Sequence, residues 1–390
     1  MITLSRALDI VCSHPLQTAS EAIPLNECHL RVLAEDVSSD LDIPPFDKSA
    51  MDGFACRRED LTADLEVTEE IPAGKIPSGT IGKNQCARIM TGSMLPPGAD
   101  CVIKLEDTAT LPGGSIRFIA SYTTDNICLK GEDVRKGDIV LNKGSLLKAP
   151  HLAVLASTGH VLPRVYRQPR ICVLSTGDEI VEPDVTPAAA QIRNSNAGQL
   201  IAQAAAMGLK ACYAGIAADE AHELKKKIEF ALQDCELLLL TGGVSAGDYD
   251  LVPLILQQMG FDIHFHKIAV QPGNPTLFAG SQNKRVFGLP GNPVSAFVQF
   301  EYLVKPMLYA SMGHHYRALI QPMPFGNTFR RRNAGRTALI PVITAEGKAW
   351  PVEYHGSAHI HAYVHATGIV ELETGKTSIE TGETVDVRFL

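Results

Sequence analysis

Residues 235–250 read CELLLLTGGVSAGDYD. Four successive leucines leave no polar face, so residues 237–240 are expected as a strand buried on both sides, as in parallel sheets covered by helices. The strand runs directly into Gly242 and Gly243, which punctuate it with a tight loop. The same grammar recurs around it. RICVLSTG at residues 170–177 is a strand closing on glycine, and VFGLPG at residues 286–291 is another. KACYAGIA at 210–217 and FDIHFHKIAV at 261–270 are further strands. Helical spacing lies between them at residues 195–207, 221–233 and 251–259, and a longer helix is expected over 293–312. This alternation predicts an α/β domain over residues 168–315 with a mostly parallel sheet. Ligands of such sheets bind beyond the carboxyl ends of the strands.

Outward from this core the text changes. Residues 41–134 alternate short β-rich runs with Gly and Pro, as in IPAGKIPSGTIG and TLPGGSIRFIA, and are expected to form an inserted β-domain. Helical segments at residues 4–11 and 150–157 bracket it, predicting a small helical or linker domain from residues 1–40 and 135–167. Residues 316–390 are β-rich again and are expected as a C-terminal β-barrel. The fold class is therefore multidomain α/β plus β, as 390 residues require.

A net charge of −8 argues against a general nucleic-acid or membrane-surface role, because binding to phosphate backbones needs clustered Lys and Arg. No apolar run is long enough to cross a bilayer, and the N-terminal apolar stretch is interrupted by Arg6 and Asp9. The nine cysteines are scattered with no C-x-x-C pair, so neither a disulfide framework nor a cysteine zinc site is expected. A reducing cytoplasm is the simplest location.

Three glycine-rich loops follow strands of the α/β domain. STGDE (175–179) contributes Thr176 and Gly177, and TGGVSAGDYD (241–250) contributes Gly242, Gly243, Ser245 and Gly247. GLPGNPVSA (288–296) contributes Pro290, Gly291, Asn292, Pro293 and Ser295 at a helix start. Backbone N–H groups turned to one point, with a helix N-terminus, cradle an anion without lysine. Neither a G-x-x-x-x-G-K-[ST] string nor a G-x-G-x-x-G after a strand occurs, which excludes the usual nucleotide-triphosphatase and nicotinamide sites. Asp178, Glu179, Asp219, Asp248 and Asp250 lie in or beside these loops. Carboxylates next to bound phosphates commonly carry Mg2+, and Glu179 and Asp250 are the candidate ligands. Asp219 could equally cap the following helix. In the β-domain, PPFDKSAMDGFA (44–55) holds Asp47 and Asp52, and GEDVRKGD (131–138) holds Asp133. His355, His359, His361 and His365 share one parity, which in a strand puts them on one face; a polar barrel face is the expected reading rather than a metal site.

Taken in order, PPFDKSAMDGFA, MTGSMLPPGADCVI, GEDVRKGD, LSTGDEI, TGGVSAGDYD and GLPGNPVSAF resemble the MoeA family and the equivalent domain of eukaryotic gephyrin. The resemblance implies insertion of molybdate into adenylylated molybdopterin, releasing AMP and molybdenum cofactor with Mg2+. It implies a homodimer with sites between the α/β domain of one chain and the β-domain of the other, and contact with molybdopterin adenylyltransferase and apo-molybdoenzymes. By position, Asp52, Thr91, Asp133, Glu179, Asp219, Asp250, Lys267, Pro290 and Pro293 match functional residues of the family. Ser295 matches a molybdate contact, as does Ser357. One departure stands out: where the family usually has K-P-G-K-P, this chain has QPGNP, with Gln271 and Asn274 in place of lysines. A hydrolase of the adenylylated pterin, or a carrier that has lost molybdate chemistry, therefore stays open.

Overall fold

The computed structural model describes residues 1–243 and 251–390. Ser245, Gly247, Asp248 and Asp250 lie outside the described residues. The chain divides into two compact units: residues 1–35, 143–148 and 163–390 in one, residues 36–142 and 149–162 in the other.

The larger unit is built on a six-stranded sheet in the order Ala211–Ala217, Ile171–Thr176, Leu237–Thr241, Lys284–Leu289, Leu277–Ser281, Asp262–Phe265. The first four strands are parallel and the last two pairings antiparallel. Side chains alternate across the sheet. Ile171, Val173, Leu237 and Leu239 enter one core with the helix Asn196–Ala206; Cys172, Leu174, Leu238 and Leu240 enter another with the helices Ala221–Asp234 and Leu251–Gln258. The four-leucine run is thus a strand with a helix layer on each face. The helix Ala221–Asp234 is capped by Glu220, whose carboxylate accepts from the N–H groups of His222 and Glu223, and not by Asp219.

Four departures from the expected elements have physical reasons. The strand Leu277–Ser281 pairs with Lys284–Leu289 through a two-residue turn in which Gln282 has φ 48°. No Gly or Asn-Gly signal marks that turn. The helix expected over 293–312 runs as Pro293–Gln299, a π-helical turn Phe300–Val304, and Lys305–Ser311. Pro306 has no N–H to continue the i→i−4 ladder, and the widened turn absorbs the gap. One disulfide, Cys172–Cys212, is present where none was expected; adjacent strands set these two residues in register across a separation of 40. Finally, the histidine stretch is not a strand. It is loop with a 3-10 turn at Ile360–Tyr363, so the period-2 face does not exist. His355 and His359 instead stack with ring centroids 5.2 Å apart.

The C-terminal part is β-rich. Thr337–Ala345, Gly368–Leu372, Thr384–Phe389 and Ile320–Pro324 follow one another in a sheet, and Val270–Gln271 of the α/β part joins it beside Thr337–Ala338. That junction carries the QPGNP string and Arg336 together.

The smaller unit has its own six-stranded sheet, ordered Cys101–Lys104, Gly53–Cys56, Gln85–Ile89, Asp64–Ile71, Ile116–Phe118, Thr108–Thr110. Its faces again feed separate cores, one around Phe54 and Ile103 and one around Ile71, Ile89 and Val102. The helix Ala149–Ser157 belongs to this unit. Among the described residues no helix is long and apolar enough to cross a membrane.

Candidate active site

The parallel strands end level with one another: Ser175 is in register with Thr241, and Thr241 with Leu289. All three glycine-rich loops therefore leave the same sheet edge. A cleft of about 720 Å3 opens there, lined from these loops by Thr176, Glu179, Pro290, Gly291, Asn292, Pro293 and Ser295. The C-terminal part closes it with Arg336, Tyr354, Ser357 and His361, and QPGNP contributes one wall.

The cleft is braced from behind. Asn196 donates to the Gly291 carbonyl at 2.8 Å and Gln199 to the Pro293 carbonyl at 3.1 Å, so the first turn of one helix holds the loop that starts another. Ser357 is joined to that loop twice: Asn292 Nδ2 donates to its Oγ at 2.7 Å, and Val294 N donates to its carbonyl at 3.1 Å. Ser295 is buried beneath them. The Asn196 Oδ1 atom is buried without a protein partner. A buried acceptor of that kind calls for a donor.

Gly177, Gly242 and Gly243 shape the loops without lining the cleft. Gly242 has φ 88°, and a Cβ there would stand 2.5 Å from the Thr176 carbonyl oxygen, so only glycine fits. Its N–H donates to the Leu289 carbonyl, tying the second loop to the third.

Three acids gather at the rim. The Asp219 N–H donates to Asp178 Oδ1 at 3.1 Å. Burial, and then the charges of Asp178 and Glu179, push the Asp219 carboxyl above its usual range. Asp219 does not itself line the cleft, and neither does Lys267, whose backbone carbonyl accepts from Ile2 N–H at 3.1 Å. Among the described lining residues the arginines are Arg193 and Arg336. Arg193 Nε is already engaged with the Val185 carbonyl at 3.1 Å. Asn274 turns its amide onto the Ile268 carbonyl at 2.7 Å. The wall that bears lysines in the MoeA pattern is thus electrically neutral here. Sequence reasoning did not single out Arg193, Asn196 or Tyr354 for the site; only strand register and loop closure bring them to it.

Asp52, Thr91 and Asp133 belong to the smaller unit. Asp52 Oδ1 accepts from both the Thr91 N–H at 2.6 Å and the Thr91 hydroxyl at 2.8 Å. These two hydrogen bonds, the backbone one first, hold its carboxyl below the usual range. Asp47 is occupied differently, accepting from Lys130 N–H at 2.7 Å. Asp133 is exposed in a turn and donates its N–H to Ile43. Of the two β-domain acids that share one loop, Asp52 is the one positioned by a neighbouring hydroxyl.

Comparison with known proteins agrees along the whole chain. Residues 2–159 match the MoeA N-terminal region (domain I and II), residues 172–310 a probable molybdopterin binding domain, and residues 328–390 the MoeA C-terminal region (domain IV). A molybdopterin molybdenumtransferase of Bacillus subtilis is 34% identical over 410 residues, covering 100% of this chain and 94% of the relative. Another from Staphylococcus epidermidis is 33% identical, covering 99% and 95%. The crystal structure of a molybdopterin biosynthesis MoeA protein from Pyrococcus horikoshii superposes with a TM-score of 0.84 at 26% identity, covering 100% of both chains. With its motifs, its α/β core and full-length relatives in agreement, the chain belongs to the MoeA family of molybdopterin molybdenumtransferases, enzymes of molybdenum cofactor biosynthesis.

Proposed function

We propose that this chain inserts molybdate into adenylylated molybdopterin and releases AMP and molybdenum cofactor, with Mg2+ assistance, in the cytoplasm. The observation that carries the reading is the cleft itself. Glycine-turned loops, a buried serine and an arginine converge on one hollow of about 720 Å3, large enough for a pterin nucleotide. Thr176 and the turn from Pro290 to Pro293 would grip the substrate phosphates; Ser295, Ser357 and Arg336 would face the molybdate dianion.

Mg2+ fits the donor set. Among the described residues no three His, Cys, Asp or Glu side chains converge to hold a metal by themselves. Mg2+ does not need that, since it binds through one or two carboxylates plus phosphate oxygens and keeps its waters. Burial, and after it the charges of Asp178 and Glu179, raises the Asp219 carboxyl, and a cation beside these acids would relieve that cost. Glu179, with Asp250, would hold the ion, which supplies Lewis-acid polarisation of the phosphate. Asp219 would orient the nucleotide side, and Lys267 would add long-range positive charge behind the wall. Asp52, oriented by Thr91, or else Asp133, would align a proton-bearing oxygen at the diphosphate. The resemblance to the MoeA family adds a homodimer in which the partner chain supplies these two acids. It also includes four domains, with residues 1–40 and 135–167, 41–134, 168–315 and 316–390, and contact with the adenylyltransferase and apo-molybdoenzymes.

The neutral QPGNP wall favours a second reading, a carrier that binds the pterin without inserting molybdate. An assay with adenylylated pterin and Mg2+, with and without molybdate, decides. Molybdate-dependent AMP release supports insertion. AMP release indifferent to molybdate indicates a hydrolase, and tight pterin binding without AMP indicates the carrier.

A further inference from the structure

Three cysteines stand side by side across the sheet of the smaller unit. Cys56 ends its strand and lies in register with Cys86 on one neighbour and Cys101 on the other. All three are free thiols, fully buried on the face that holds Phe54 and Ile103. The Sγ atoms of Cys56 and Cys101 are 3.6 Å apart, with no atom needed between them. A disulfide requires about 2.05 Å, and opposed antiparallel positions already supply the short Cα separation it demands. Small side-chain rotations close the remainder.

We propose that Cys56 and Cys101 form a redox-sensitive dithiol whose oxidation ties together the two strands that present Asp52. Cys101 opens its strand directly after exposed Asp100, and Cys56 is followed by half-exposed Arg57 and Arg58. Opening of the last rung of this ladder is enough to admit a molecule as small as hydrogen peroxide. The contact between the two sulfurs, in which either can donate, and then the Arg58 charge, pull the Cys101 thiol down against the opposing effect of burial. Cys101, which opens its strand beside exposed Asp100 and near the Arg58 guanidinium, is the thiol placed to attack peroxide first. Peroxide oxidises it to a sulfenic acid and leaves as one water. Cys56 sulfur then displaces the sulfenic hydroxyl, which departs as a second water with the Cys56 proton. Two thiols and one peroxide become one disulfide and two waters.

The consequence falls at the other end of the same strand pair. Gly53 pairs with Lys104, and Leu105 N–H donates to the Asp52 carbonyl at 3.2 Å. A covalent link between residues 45 apart in sequence stiffens that ladder and the turn that carries Asp52.

The test uses the whole chain in its native state, treated with hydrogen peroxide in graded amounts, then alkylated, digested and mapped by mass. The expected result is a peptide pair joined through Cys56 and Cys101 that appears before any other new crosslink and is reversed by dithiothreitol. Amide exchange at Leu105 and through Cys101–Lys104 should slow by about tenfold or more on oxidation. Recovery of Cys56 and Cys101 both alkylated, or a Cys56–Cys86 crosslink in their place, overturns the assignment. Unchanged exchange at Leu105 overturns the stiffening. In Cys101→Ala, checked for folding by circular dichroism, Cys56 should resist the same dose; oxidation of Cys56 at the wild-type rate counts against Cys101 as the first thiol to attack peroxide.

Discussion

Restoring positive charge to the QPGNP wall should tighten molybdate binding. In Gln271→Lys with Asn274→Lys, both new ammonium groups belong to a loop that lines the cleft. Gln271 is exposed and its strand pairing uses backbone alone, so lysine is tolerated there. Asn274→Lys loses the amide bond to the Ile268 carbonyl, a cost of about 1 kcal/mol to the loop. Against this stands attraction to a dianion. Two unit charges about 4 Å apart gain roughly 1 kcal/mol in bulk water and about 4 kcal/mol in a partly screened pocket. Taking the low end for each lysine against even one unit of the dianion's charge leaves a net gain of at least about 1 kcal/mol, or roughly fivefold or more in molybdate affinity. The assay is AMP release from adenylylated pterin as a function of molybdate, repeated at high salt. The half-saturating molybdate concentration should fall in the double variant, and the gain should shrink as salt screens it. An unchanged molybdate dependence at low salt would show that this string does not face the oxyanion.

Other perturbations separate chemistry from scaffold. Asp52→Ala should abolish most AMP release while leaving the far-UV spectrum and melting temperature near wild type, since the side chain is exposed; full AMP release would remove Asp52 from the mechanism. Gly242→Ala forces a Cβ to within 2.5 Å of the Thr176 carbonyl at φ 88°, and should cost about 1–3 kcal/mol, read as a lower denaturation midpoint together with weakened AMP binding. Glu236 is nearly buried; burial raises its carboxyl, but the Arg167 guanidinium and the Arg170 N–H outweigh it and hold the group low. Its contribution is therefore present above the unfolded value of about 4.3 and lost as pH falls through the lower folded value. Wild type should exceed Glu236→Gln in urea stability at pH 7 and converge on it as pH falls below about 4; a gap that persists at low pH would contradict the assignment.

The α/β core was legible because its signals are local. A run of leucines with no polar face can only be buried on two sides, and glycine after each strand marks the loop edge where a site forms. The helices Asn196–Ala206 and Ala221–Asp234 lie within a residue of their expected bounds because Gly208 and the 3.6-residue period report on nothing beyond themselves. What escaped depends on register and closure. Arg193, Asn196 and Tyr354 enter the cleft only after distant strands align, and no spacing encodes that. Cys172 meets Cys212 for the same reason. The histidines alternate in sequence, yet parity places side chains on a face only when the backbone is extended; here Ile360–Tyr363 turns instead. Lys267, placed by motif, sits beside the cleft and not in it, since the segment before QPGNP turns to meet Ile2.

The most direct test is a crystal of the chain soaked with AMP, Mg2+ and molybdate. The account predicts the AMP phosphate on the turns at Thr176 and Gly291, the metal at Glu179, and molybdate between Ser295, Ser357 and Arg336. Ligands bound elsewhere, with this cleft empty at saturating concentrations, would contradict it.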